Sequence, residues 1–187
     1  MGSLLIIGAG GHGKVVAEAA ELENKYDEIA FLDDNNEVDK IYDFSIIGKV
    51  KDYKIFKNKY KYAFVAIGNN EVRLKLIDEL LKEGFIVPVI IHPRATVSKY
   101  SKIESGTVAL SGSIVNVNCS IGKGCILNIN STLDHDSNLG DGVHISSGSV
   151  IRSMVNIGKL STIRAGACIT QGKIIEKNTV INPGIVI

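Results

Sequence analysis

The chain lacks the features that mark several protein classes. Its 21 basic and 20 acidic residues leave a formal charge of +1, and lysine and arginine never run beyond two in a row. Nucleic acid and an anionic membrane surface are therefore poor partners. No apolar stretch approaches the length of a membrane span; the longest, Phe85–Ile91, is strand-sized and interrupted by Pro88. The first residues show neither the basic segment nor the cleavage site of an export signal and lead straight into a glycine motif. Only three cysteines occur, an odd number, and none has metal-ligand spacing, so packing in a reducing compartment is their expected role. These absences predict a cytoplasmic protein with no membrane insertion and no metal.

What is present is a clock. From Val97 to Ile187 every sixth residue is Val, Ile or Leu, with Ala109 the one exception among sixteen positions. Neither a helix, with period 3.6, nor a free strand, with period 2, keeps that count; a β-helix does, each repeat forming one flat side of a solenoid. Two residues earlier the side chain is usually small, as at Ser101, Thr107, Cys119, Cys125, Ser137 and Ser161. Both sets are expected to point into a narrow interior. Three residues after the branched position Gly, Asn or Asp recurs, interrupted by Met154 and Leu160. Those residue types best tolerate positive φ, which marks the corners. Gly122, Gly140 and Gly158 recur every eighteen residues, predicting three sides per coil. Roughly five coils then stack about 4.8 Å apart, like neighbouring strands.

Residues 1–88 have no such period. Leu4–Ile7 reads as a strand, followed by Gly8-Ala9-Gly10-Gly11-His12-Gly13 and a helical stretch to about Asn24. Ile29–Leu32 and Tyr62–Ile67 read as further strands. An amphipathic helix carrying Val72, Leu76, Ile77, Leu80 and Leu81 follows, and Phe85–Ile91 closes the series. Alternating strands and helices predict a small parallel, Rossmann-like α/β sheet. The chain thus reads as an α/β domain over residues 1–88 and a β-solenoid over residues 89–187.

The spacing Gly8, Gly10, Gly13 after a strand and before a helix lets backbone amides approach phosphate oxygens. The acids Asp33 and Asp34, at the end of the second strand, can accept a hydrogen bond from a ribose hydroxyl. In many folds this pattern signals NAD, but no second mononucleotide half follows, so a single nucleotide fits better and NAD is not expected. On the solenoid, a filled interior forces any site outward. His135 lies two residues after the inward Leu133, with Asp136 beside it at a corner, and a histidine with a carboxylate partner is a standard general base. His144 should also face outward. His92, before Pro93 at the domain junction, reads as a structural turn.

With these residues assembled, the chain resembles the hexapeptide-repeat acyltransferases, in particular the bacterial branch that joins a nucleotide-type α/β domain to a left-handed β-helix. That branch contains UDP-4-amino-sugar N-acetyltransferases and sialic acid O-acetyltransferases. The likeness rests on Gly8–Gly13, Phe31–Asp34, Ala66–Asn70 with Arg73, Ile91–Pro93, Asn128 and Leu133–His144. It implies an enzyme that transfers acetyl from acetyl-CoA to the amino group of a UDP-amino-sugar, with sialic acid or another sugar hydroxyl as the alternative acceptor. By the same resemblance, His135 would act as general base, oriented by Asp136. His144 and the backbone at Ala165 and Gly166 would line the acetyl-CoA groove. Gly10, Gly11, His12, Gly13, Asp33, Asp34, Gly68 and Asn69 would hold the nucleotide-sugar, with Asn128 near the reacting sugar. The resemblance further implies a homotrimer whose active sites form between adjacent prisms. A non-catalytic solenoid used for assembly and an NAD oxidoreductase are the readings from other classes.

Overall fold

A computed structural model of the chain describes residues 2–35 and 38–187. Its contacts divide it into two units, Met1–Pro88 and Val89–Ile187.

In the first unit, β1 (Gly2–Ile7), β2 (Tyr26–Leu32) and β5 (Tyr62–Val65) form a parallel sheet in the order β2-β1-β5. Leu4–Ile7 are fully buried, as expected of a central parallel strand covered on both faces. Single bridges from Phe31 to Ile46 and from Tyr62 to Ile86 extend the sheet by one position at each edge. α1 (Gly11–Leu22) follows β1 and α2 (Asn70–Lys82) follows β5. A short hairpin, β3 (Lys40–Ile41) with β4 (Phe44–Ser45), and a 3-10 helix over Val50–Phe56 fill the long connection from β2 to β5. Sequence patterning did not disclose these two elements, because neither is long enough to show a period.

The expected closing strand Phe85–Ile91 is not one element. Ile86 contributes only its bridge to Tyr62, while Ile90–Ile91 forms β6 and pairs with Val108–Ala109 in the second unit. Pro88 separates the two pieces, having no N–H to offer a ladder. The six-residue clock therefore starts one beat earlier, at Ile91.

The second unit is a parallel β-helix of sixteen two-residue strands, from β6 (Ile90–Ile91) to β21 (Val180–Ile181). They form three sheets of five, five and six strands. Partners are offset by eighteen residues, as in Ile114 with Thr132 and Ser120 with Asn138, so three repeats complete one coil. The branched residues fill the interior: Leu127, Leu133, Ile145, Ile151, Ile163 and Ile169 are each at most 1% exposed.

Two features explain the rest of the repeat. Every sixth residue from Gly106 to Gly184 has positive φ, and Met154 (60°) and Leu160 (63°) conform despite their bulk. They occupy the corner conformation at a cost of about 1–2 kcal/mol each rather than interrupting it. The small inward residues also serve the backbone. Ser137 Oγ donates to the Arg152 carbonyl at 3.0 Å and accepts from the Val155 amide at 3.1 Å; Thr107 and Ser161 repeat the pattern. Cys119 and Cys125 occupy the same slots, their thiols 3.2 Å from the carbonyls of Asp134 and Gly140. At Thr107, Ser137 and Ser161 the hydroxyl is satisfied on both sides, which is how these polar groups are admitted to an aliphatic core; the buried Ser113 hydroxyl does not share the pattern. The glycine column is steric: a Cβ on Gly140 would lie 2.6 Å from the amide nitrogen of Lys159 on the next coil.

Candidate active site

His135 follows β13 (Thr132–Leu133) and turns outward at the corner after it, its side chain 43% exposed. Its Nδ1 lies 2.6 Å from Oδ2 of Asp136. Asp136 holds the left-handed corner conformation, with φ of 59°. Its other oxygen, Oδ1, accepts a hydrogen bond from the amide of Asn118 on the preceding coil. Asp134, on the other side of the histidine, accepts from the His135 backbone N–H at 2.8 Å and from the Asn116 amide at 3.0 Å. Both carboxyls are held below the usual Asp range. The chief cause is the Asn118 amide for Asp136 and the His135 backbone N–H for Asp134. Asp136 is thus an anion at neutral pH and accepts the Nδ1 proton, which leaves Nε2 as the basic nitrogen of the ring. A pair this exposed adds little stability; its physical consequence is a fixed tautomer and ring orientation.

His144 opens β15 (His144–Ile145) on a different sheet. Its Nε2 is 3.5 Å from the Asn128 amide nitrogen. Asn128 follows β12 (Ile126–Leu127) and Ala165-Gly166 lie beyond β18 (Thr162–Ile163), all on that same sheet or the corner after it. The Gly166 amide is bonded to the Ser147 carbonyl at 3.1 Å. His144, Asn128, Ala165 and Gly166 therefore lie along one face of the prism and the corner that ends it. His135 and Asp136 sit at another corner, and the strand Asn138–Leu139, β14, runs between that corner and the one before His144. One chain does not place the two histidines on the same edge.

In the first unit, parallel order β2-β1-β5 brings three loops to the carboxyl edge of the sheet, where α/β proteins bind ligands. Gly8 turns the chain at φ 104°, a conformation open to glycine. A Cβ on Gly13 would collide with the Gly8 carbonyl oxygen, so the third glycine of the motif sets how closely α1 packs on its loop. Gly10 and Gly11 have open space where side chains would stand, and Gly10 caps α1 with no side chain. His12 lies in the first turn of α1.

The acids are partly engaged already. Asp33 accepts from the Ala9 amide at 2.5 Å and from the Asn35 amide at 2.8 Å, bracing the glycine loop. Asp34 accepts from the Val50 amide at 3.1 Å, at the start of the 3-10 helix. Asn69 caps α2 through the Val72 amide at 3.0 Å. Arg73, a buried cation (1% exposed), donates to the carbonyls of Ile67 and Gly68 at 2.9 and 3.1 Å and to the Asn70 side chain at 2.8 Å. The resemblance includes Arg73 in its motif, but periodicity alone gives it no part. The available signal was its place on the buried stripe of α2, four residues before Ile77. His92 accepts from the Arg94 amide at 2.9 Å and forms a turn. Among the described residues no cluster of three or more His, Cys, Asp or Glu could hold a metal ion, and no helix is long and apolar enough to cross a membrane.

Two family models match the chain: the PglD N-terminal domain over residues 3–80 and the bacterial transferase hexapeptide repeat over residues 118–153. Among solved structures, the acetyltransferase domain of PglB from Neisseria gonorrhoeae, in complex with acetyl coenzyme A, superposes with a TM-score of 0.91 at 36% identity. That match covers 99% of this chain and 92% of that one. A GDP-perosamine N-acetyltransferase of Escherichia coli O157:H7 is 28% identical over 89% of this chain and 77% of its own length. A UDP-N-acetylbacillosamine N-acetyltransferase of Bacillus subtilis is 33% identical over 59% of this chain and 52% of its own length. Two units of the expected kinds, a paired outward histidine on the second, and similarity along almost the whole chain lead to one conclusion: the protein belongs to the hexapeptide-repeat, acetyl-CoA-dependent sugar N-acetyltransferases.

Proposed function

We propose that the enzyme acetylates the amino group of a UDP-linked amino sugar, with His135 as the general base. The observation that carries this reading is the 2.6 Å contact between His135 Nδ1 and Asp136 Oδ2 on an outward corner. In the reaction, the amine attacks the thioester carbonyl and Nε2 takes its proton; the tetrahedral intermediate collapses, and coenzyme A leaves as its thiol. General-base assistance of this kind typically contributes about 10²–10⁴ in rate. His144, Ala165 and Gly166 would line the acetyl-CoA groove, and Asn128, beside His144, would meet the reacting sugar.

The first unit would hold the nucleotide. The free N-terminus of α1 at Gly10 and Gly11 suits a diphosphate. Asp33 braces that loop and retains lone pairs for a ribose hydroxyl, with His12, Gly13, Asp34, Gly68 and Asn69 completing the surround. A UDP-linked acceptor is supported by the 33% identity to the Bacillus UDP-sugar enzyme over 59% of this chain, and the 28% identity to the GDP-perosamine enzyme over 89% of it makes GDP compounds the comparison to run. The same comparisons favour an amine over the hydroxyl of a sialic acid. A coenzyme A release assay across UDP-amino-sugars, GDP-amino-sugars and sialic acids tests this. Turnover confined to GDP compounds, or equal turnover with no nucleotide on the acceptor, would overturn it.

We further propose a homotrimer with sites shared between neighbouring solenoids. His135 and His144 stand on different edges of one prism, and a second copy can bring one of each together. Exposed Ile114, Val117, Ile129 and Met154 lie on or beside the sheet that ends at His135, a surface a second copy would cover. Mixing inactive His135→Ala and His144→Ala subunits should restore part of the activity in mixed trimers. No recovery after verified subunit exchange would show that each site is made by one chain.

A further inference from the structure

The base of the proposed reaction is held by a chain of contacts that reaches back one coil. We infer that Asn118 is a positioning residue, acting on His135 through Asp136. The Asn118 side-chain amide donates to Oδ1 of Asp136, while Oδ2 of the same carboxylate receives His135 Nδ1. The two residues are eighteen apart and occupy equivalent corners, with φ of 58° and 59°. A carboxylate gripped on one oxygen cannot rotate away from the ring on the other, so the imidazole keeps the tautomer and direction in which Nε2 is the base. This inference rests on the general-base reading of His135.

Backbone preference alone does not account for an asparagine here. The corner column runs Asn118, Asp136, Met154, Gly172, all at positive φ, and Gly172 shows that glycine fills the position. What asparagine adds is a donor. The arrangement is also mirrored: Asn116 donates to Asp134, which accepts the His135 backbone N–H. The histidine thus stands between two carboxylates, each anchored by an asparagine of the preceding coil. The amide is also the leading cause of the low Asp136 carboxyl pKa.

Asn118→Gly separates the hydrogen bond from the conformation, because glycine keeps the corner and removes the amide. In the full-length enzyme we expect kcat to fall about tenfold with KM within about twofold, the scale of one charge-assisted hydrogen bond. Melting temperature should stay within about 2 °C. Asn118→Asp should lose at least as much, since it sets a like charge against Asp136. The decisive measurement is the double-mutant cycle: in an Asp136→Ala background, Asn118→Gly should cost nothing further. Full activity of Asn118→Gly, or an equal loss with and without Asp136, would overturn the positioning role while leaving His135 untouched. Retained activity of His135→Ala would instead overturn the general-base reading itself.

Discussion

The solenoid and the α/β unit fix their functional groups by different routes. His135 is held by its immediate neighbours, Asp134 and Asp136, and by residues one coil away, Asn116 and Asn118. Asp33 braces the glycine loop across 24 residues of chain, and Asp34 reaches 16 residues to the 3-10 helix. In a solenoid each repeat contacts only its neighbours, so stability is a sum of local terms. In a small parallel sheet every strand depends on a distant partner, so damage spreads. The lesson is that the same kind of lesion should read out locally in one unit and throughout the other.

The largest effect expected concerns chemistry rather than folding. His135→Ala should lower kcat by about 10²–10⁴, with the thermal melt unchanged because the ring is substantially exposed and its hydrogen bond to Asp136 contributes little to stability. Steady-state kinetics beside a melting curve check both halves of that statement. A parallel loss of melting temperature would mean that the corner needs the histidine to fold.

Next come paired lesions that test locality. Gly140→Ala places a Cβ 2.6 Å from the Lys159 amide nitrogen; since backbone must move, a loss of about 2–3 kcal/mol is expected. Hydrogen exchange should rise in the coils on either side of Gly140 and fade with distance. Arg73→Met leaves the carbonyls of Ile67 and Gly68 without their donor, at a cost of about 1–3 kcal/mol. Exchange should then rise across β1, β2 and β5 together. An exchange pattern confined to 67–73 would erase the contrast between the units.

How much could be read beforehand follows the same division. The inward Leu133, the outward His135 and the corner at Asp136 all follow from one six-residue period, because a coil repeats its geometry whatever lies around it. The first strand of that series, Ile90–Ile91, was obscured by Phe85–Val87 running into it without a polar break; only Pro88 marks the seam. The engagement of Asp33 by Ala9 was not legible, since it depends on which loop the fold places opposite; that of Asn69 by Val72 is a local helix cap three residues long, whose signal is an asparagine just before an amphipathic stretch. Arg73 was harder still. A cation on a buried helical stripe looks like an error of patterning until three acceptors are seen around it. Nor did Asn118 stand out, because asparagine at a corner is already explained by its tolerance of positive φ.

The inward hydroxyls sharpen the picture of local energetics. Ser137→Ala removes a donor to the Arg152 carbonyl and an acceptor for the Val155 amide, with almost no change in volume. A destabilisation of about 1 kcal/mol is expected. Ser161→Ala should match it, since its two bonds have the same geometry, and the double variant should be additive for coils that do not share a partner. Chemical denaturation of the three variants measures this directly. Strong non-additivity would mean that the solenoid couples over more than one coil.

The smallest effect has the opposite sign. Met154 holds φ of 60° at a corner where its neighbours in the column are asparagine, aspartate and glycine, and its side chain is 44% exposed. Replacing it with asparagine relieves a left-handed penalty of about 1–2 kcal/mol and gives up little burial, so a net gain of about 0.5–1 kcal/mol is expected. Its amide is bonded to the His135 carbonyl at 3.0 Å, a contact that asparagine preserves. If the exposed methionine is covered by a neighbouring solenoid, however, the substitution weakens association while stabilising the single chain. Melting curves taken across a range of protein concentration distinguish the two: a gain at every concentration marks a free corner, and a loss confined to high concentration marks an interface.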